Sequence, residues 1–234
     1  FEMYEASVGS IAGDKSLIND PLSGSLNRVL TVGPQSSPHF FDLDGGIVVN
    51  GVGTIYFEFA LSNAGASGDF GYSAIAQPNG DFHYDGLIRI NEEGQLLGRK
   101  VFSFVETEIK LIPGQWYQAW LVLDSGKSTY DLFLKGGDLT TAVSVTGPLD
   151  NLVKSPKEIK TFGIKSSSGS SGSLYIDNIH LDNQDINLSI PITAQTWRLI
   201  SNFDNSASAT SWSAWGSNGA HPGNLVLADE YNGN

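Results

Sequence analysis

This chain of 234 residues predicts an all-β fold, an antiparallel β-sandwich of two sheets in the jelly-roll manner. Three observations carry the prediction. Apolar residues recur with period two over short runs, and Gly-, Asn- and Asp-bearing turn sequences separate those runs. No stretch has the spacing of an amphipathic helix longer than two turns. Glycine contributes 27 residues and charged side chains only 16%, a composition suited to many tight turns. Apolar residues at 40% and aromatics at 11% supply a sizeable core.

Taken in chain order, the first strand is Leu26–Val32. In Thr54–Ala60, the apolar Ile55, Phe57 and Phe59 alternate with Tyr56 and Glu58, the signature of a half-buried strand. Asp69–Ala76, Tyr84–Asn91, Lys100–Phe104, Glu106–Ile112 and Gln115–Asp124 follow. Thr129–Lys135, Thr141–Val145, Glu158–Lys165 and Ser173–Asp182 complete the set. Between them, Asp44-Gly45-Gly46, Pro78-Asn79-Gly80-Asp81, Asn91-Glu92-Glu93-Gly94, Pro113-Gly114, Asp124-Ser125-Gly126-Lys127 and Lys135-Gly136-Gly137-Asp138 supply positive φ or local side-chain hydrogen bonds. Trp116, Trp120 and Val122 share one strand face and read as core, as do Tyr130, Leu132 and Leu134. The Ser/Gly run from Ser166 to Ser173 is flanked by strands, so it reads as a polar hairpin loop and not as a linker.

Alternation stops at Asp182. Residues 1–182 are therefore one sandwich domain, and residues 183–234 an extended linker and tail in which Pro191 discourages a central strand. The tail repeats the chain's own opening: Phe203-Asp204 leads to His221–Leu227 much as Phe1-Glu2 leads to Pro21–Val32, at an offset of about 200 residues. It reads as the start of a second β module or as a docking strand.

Composition also excludes. A formal charge of −12 is the wrong sign for a phosphate-binding surface, so nucleic acid is not an expected partner. The absence of cysteine removes thiol catalysis, zinc–thiolate sites and iron–sulfur clusters. No apolar run approaches the roughly 18 residues of a membrane-spanning helix. Phe1 in place of an initiator Met reads as a processing product or a chosen boundary, and an extracellular or cell-surface location is expected. His39, His83, His180 and His221 lack metal-ligand spacing, and alternation puts His180 on the strand face opposite Asp177. There is no G-x-S-x-G elbow and no phosphate-cradling loop. Asn91–Gly94 reads as a solvated turn, and Glu106 and Glu108 as an exposed strand surface.

Phe82, His83 and Tyr84 follow the Pro78–Asp81 turn, where binding residues are displayed, and are the expected solvent-facing sugar-stacking groups. Asp85 and Arg89 add polar contacts.

Four segments together carry a family resemblance: Phe1–Glu5, Gly114–Asp124 with its Gly-Gln-Trp-Tyr start, Thr129–Leu134, and Gly172–Asp182 with its Tyr-Ile-Asp-Asn-Ile core. They resemble the concanavalin A-like lectin/glucanase sandwiches, especially the laminin-G-like modules of secreted bacterial proteins, over residues 1–182. Phe203-Asp-Asn with Trp212 and Trp215 looks like the opening of a carbohydrate-binding jelly-roll module. The resemblance implies a structural calcium held by Glu2 and Asp177, since hard oxygen ligands suit that ion. The superfamily includes glucanases that carry two Glu flanking an Asp at alternate positions; that motif is not found here. Asp81–Asp85 with Arg89 supplies the residue types of a lyase without a lyase's order. The expectation is a non-catalytic carbohydrate-binding module of a secreted or cell-surface multimodular bacterial protein, its partner a polysaccharide or other glycan. The alternative is a structural extracellular subunit that joins like subunits or neighbouring modules head to tail through Ile186–Leu227. A polysaccharide lyase or glycoside hydrolase is the remaining reading.

Overall fold

The computed structural model describes residues 15–24, 28–34, 39–49, 51–76, 78, 81–152, 158–191, 198–201 and 212–214. Its strands, numbered in chain order, form two antiparallel sheets. The nine-stranded sheet runs β1 (Lys15–Asn19), β2 (Arg28–Val32), β14 (Leu174–Asp182), β4 (Val52–Leu61), β9 (Trp116–Asp124), β10 (Thr129–Gly136), β11 (Leu139–Ser144). β12 (Leu149–Asp150) pairs with β10, and β15 (Arg198–Ser201) with β14. The seven-stranded sheet runs β16 (Trp212–Ala214), β3 (His39–Val48), β13 (Glu158–Ser166), β5 (Gly68–Ser73), β6 (Gly86–Ile90), β7 (Gln95–Lys100), β8 (Ser103–Lys110).

The core lies between the sheets and follows from period two. Ile55, Phe57 and Phe59 of β4, Tyr117 to Leu123 at alternate positions of β9, and Tyr130, Leu132 and Leu134 of β10 face Phe70, Ile88, Phe162 and Ile164 of the other sheet. The ring of Phe57 lies 5.3 Å from Phe70 and 5.2 Å from Phe162, and Phe59 lies 5.1 Å from Phe70. These tilted pairs join the sheets at their centre, each worth about 0.5–1.5 kcal/mol beyond burial alone.

Several expectations are corrected. Asp44-Gly45-Gly46 is no chain reversal: β3 runs through it, and the register against β13 jumps from Ile47↔Ile159 to Asp42↔Thr161, a bulge with Gly46 at φ 72°. Lys100–Phe104 is not one strand. The chain reverses at Val101-Phe102, residues without turn chemistry, and β7 pairs back onto β8 with Lys100 opposite Ser103. Ser166–Ser173 is a loop but no hairpin, because β13 and β14 belong to different sheets. It crosses between them, pinned by Ser67 N donating to Ser170 Oγ at 3.0 Å.

Trp120 is buried, yet outside the main core. The face of β9 carrying Trp116, Trp120 and Val122 points away from the other sheet, and Trp120 packs with Tyr56, Phe133, Ala142 and Leu188. Its cover is the segment after β14. Thr54 Oγ1 donates to the carbonyl of Asp185 at 2.9 Å, Asn187 N donates to Thr54 Oγ1 at 3.0 Å, and Trp120 Nε1 donates to the carbonyl of Ser189 at 3.0 Å. Residues 183–191 are thus a strap laid on the nine-stranded sheet, and further on β15 and β16 extend one sheet each.

Candidate functional site

The open face of the seven-stranded sheet, the side away from the core, gathers the predicted residues. Strand register places Lys165, Asp69, Arg89 and Leu97 in one row across β13, β5, β6 and β7. Alternation points Arg89 outward because Ile88 and Ile90 belong to the core. Arg89 Nε and one terminal nitrogen donate to the two carboxylate oxygens of Asp69 at 2.7 and 2.8 Å, and that nitrogen also donates to Asp81 Oδ2 at 2.6 Å. Lys165 Nζ lies 3.7 Å from the other oxygen of Asp81. The hydrogen-bonded Asp69 carboxylate holds the Arg89 guanidinium above its ordinary value. Burial acts to raise the Asp81 carboxyl, but the Arg89 hydrogen bond and the charges of Lys165, Arg89 and Arg99 outweigh it and hold it below.

Beside this row lies a cleft of about 450 Å³ lined by Ser67, Asp69, Arg89, Asn91, Glu92, Glu93, Lys165, Ser167 and Ser168. Its lining is polar and charged throughout. Ser67 is buried, and its Oγ has no hydrogen-bond partner.

The 3-10 turn Asp81–His83 folds onto the same face. Arg99, itself buried and with its basicity lowered by that burial, donates to the carbonyls of Asp81 and Tyr84. The structure divides the predicted binding residues. Phe82 is 65% exposed and His83 half-buried, whereas Tyr84 is 5% exposed and Asp85 only 2%. Tyr84 and Asp85 are therefore not solvent-facing. Tyr84 lies flat over Gly163 and Gly71, packed with Leu87 and Phe104, and burial raises its phenol, with Asp69 and Asp81 adding to the effect. The Asp85 carboxylate accepts from Ala74 N at 2.7 Å and so fastens the loop.

Phe102, Phe104, Asp69 and Lys165 are site residues that sequence reading missed. Phe102 is 75% exposed at the β7–β8 turn, with its ring 6.3 Å from that of Phe82. Arg89 sits over the Phe104 ring, 4.1 Å from its centroid. Asp69 was legible as a lone carboxylate in an otherwise apolar strand, but nothing local pairs it with Arg89.

The outer face of the nine-stranded sheet holds a second polar group. Glu58 accepts from Tyr56 Oη, from Asn178 Nδ2 at 3.0 Å and from Gln118 Nε2 at 3.4 Å. Asn178 has φ 50°, and the register passes from Asp177↔Glu58 to His180↔Tyr56. This bulge adds one residue, so Asp177 and His180 share a face, contrary to simple alternation. Burial pulls the His180 imidazole down to about 4, and burial followed by the Glu58 charge raises the Tyr56 phenol. Asp177 is buried and accepts the Asn178 amide at 2.8 Å. Glu2, its expected partner for calcium, lies outside the described residues. Among the described residues no three His, Cys, Asp or Glu gather as a metal-binding group.

Solved structures match this chain in fold. The GH131 β-glucanase catalytic domain from Podospora anserina aligns with a TM-score of 0.50 at 11% identity, covering 80% of this chain and 86% of that one. The catalytic domain of the glycoside hydrolase family 131 protein from Coprinopsis cinerea aligns at 0.50 and 10% identity, covering 81% and 85%. Lectin I from Ulex europaeus aligns at 0.48 and 13% identity, covering 70% and 90%. No protein-family model and no curated protein matches the sequence. At these identities the likeness defines the architecture: the chain has the concanavalin A-like β-sandwich fold.

Proposed function

We infer that this chain is a glycan-binding β-sandwich that acts outside the cell or at its surface, as a non-catalytic module of a larger protein. The observation that carries the reading is the juxtaposition, on one open sheet face, of a rigid Asp69–Arg89–Asp81 network with the exposed ring of Phe82. Sugars need both: fixed donors and acceptors for hydroxyls, and an aromatic face for the C–H side of the ring. His83 contributes at the rim. Tyr84 and Asp85 serve from beneath by fixing the loop that displays Phe82. The matching folds named as β-glucanase and glycoside hydrolase domains support a sugar ligand. Binding is favoured over hydrolysis because the carboxylates of Asp69 and Asp81 are both committed to one guanidinium.

Native affinity electrophoresis against soluble polysaccharides tests the reading. Retardation of the wild type and its loss in Phe82→Ala, at unchanged thermal stability, is the expected result; equal mobility of both on every polysaccharide overturns it. Release of reducing sugar by the wild type overturns the non-catalytic part alone. A structural calcium at Asp177 and Glu2 belongs to the same proposal. Chelation is then expected to lower the melting temperature, and Asp177→Asn to abolish the difference between calcium and chelator. As for assembly with like subunits, β15 and β16 are paired within their own sandwich here.

A further inference from the structure

The cleft and the aromatic pair lie at opposite ends of one surface. The cleft borders the Asn91–Gly94 turn, which precedes β7, and Phe102 stands in the turn that follows it. β7 has 6 residues, which at about 3.3 Å per residue separates the two turns by roughly 17 Å. Arg89 bridges the gap, since it lines the cleft and also stacks on Phe104. At the far end, the exposed rings of Phe82 and Phe102, tilted 50° to one another, form a two-ring platform open to solvent.

That platform is held in place on both sides. Phe82 rides on the turn anchored by Arg89 and Arg99. Phe102 sits in a two-residue hairpin turn whose first central residue, Val101, has φ 55°. A β-branched residue in this region is a conformational outlier, and glycine is the usual occupant of that turn position. The pairing of β7 with β8 on both sides of the turn holds Val101 in this conformation. At the other end, Ser67 lines the cleft with a buried hydroxyl, a group that can both donate and accept. Charge sets the ligand's chemistry. Around the cleft and the Asp81 turn, the carboxylates of Asp69, Asp81, Glu92 and Glu93 outnumber the cations Arg89, Arg99 and Lys165, in a chain of net charge −12. Anionic glycans are repelled there.

We propose that this face binds an uncharged polysaccharide chain several sugars long, with the polar cleft and the Phe82–Phe102 platform as two separate subsites joined across Arg89 and Phe104. The proposal rests on the glycan-binding reading and extends it to chain length, charge and a new contact residue.

Titration calorimetry with two neutral ladders, laminari- and cello-oligosaccharides from disaccharide to hexasaccharide, tests it, with oligogalacturonides as the charged comparison. The expected result is affinity that rises at least tenfold from disaccharide to hexasaccharide in one neutral ladder, with no binding of the galacturonides. Phe102→Ala is expected to remove most of that gain, so that hexasaccharide affinity falls by a larger factor than disaccharide affinity. Being exposed, this variant folds, which unfolding curves verify. Length-independent affinity in the wild type, an equal loss for short and long chains in Phe102→Ala, or tighter binding of galacturonides each overturns the two-subsite proposal and leaves glycan binding standing. No binding of any oligosaccharide or polysaccharide overturns both.

Discussion

Tyr84 shows how one side chain can be assigned the right loop and the wrong environment. Its place after a Pro-Asn-Gly-Asp sequence is that of a displayed residue, yet Gly71 and Gly163 leave a flat space on the sheet that its ring fills. Its hydroxyl is buried without a partner, which costs about 1–3 kcal/mol for a lost hydrogen bond. Tyr84→Phe is therefore expected to hold or raise stability by about 1 kcal/mol in urea unfolding; a clear loss would show that the hydroxyl has a partner after all. Val101 makes a complementary case. Placing an L residue in the left-handed region costs about 1–2 kcal/mol, and glycine removes that strain while adding unfolded-state entropy. Val101→Gly is expected to raise stability by about 0.5–1 kcal/mol and to loosen the hold on Phe102. His180 links stability to pH. Its folded value of about 4 lies below the ordinary 6.5, so the unfolded chain takes up the proton first. The contribution is fully present above pH 6.5 and is lost as pH falls toward 4, and His180→Gln should flatten melting temperature across that window.

Strands and turns divide by how local their causes are. β4, β9, β10 and β14 were legible because a strand with one face on the core must alternate, and Ile55, Phe57, Phe59, Tyr130, Leu132 and Leu134 do so. The β7–β8 turn was not legible. Val101 and Phe102 have strand propensity, and only the pairing of Gln95–Lys100 with Ser103–Lys110 forces the reversal. Nor was the bulge in β14 legible, although it decides that His180 and Asp177 share a face. The strap at 183–191 carries Ile186, Leu188 and Ile190 at alternate positions among polar residues, a pattern that suits an extended linker as well as an edge strand. It is ordered by Trp120, Thr54 and Leu188 on a face that alternation alone assigns to the core or to solvent. Truncation after Asp182 is expected to lower the melting temperature and red-shift tryptophan fluorescence as Trp120 becomes hydrated. The milder Leu188→Ala should cost about 1 kcal/mol. Unchanged fluorescence and stability on truncation would return this segment to the status of a linker.

In the assembled molecule, Gly71 illustrates what a loop folded onto a sheet demands: a Cβ there would stand 2.7 Å from both the Gly86 carbonyl oxygen and the Tyr84 ring. Gly71→Ala is expected to destabilise by about 1–3 kcal/mol and to weaken glycan binding, because the loop carrying Phe82 must lift. The amino-acid sequence by itself determined the fold class, the alternating core and the acidic, cysteine-free character that removes thiol chemistry. Those are properties of composition and of neighbours two apart, and they survive any arrangement of the strands. Only the tertiary structure decided which residues share a surface. It brought Asp69 of β5 to Arg89 of β6 and Lys165 of β13, set Phe82 beside Phe102, and laid Tyr84 over Gly71 and Gly163. Each of those contacts depends on strand order and register, which long-range pairing sets and local pattern leaves open.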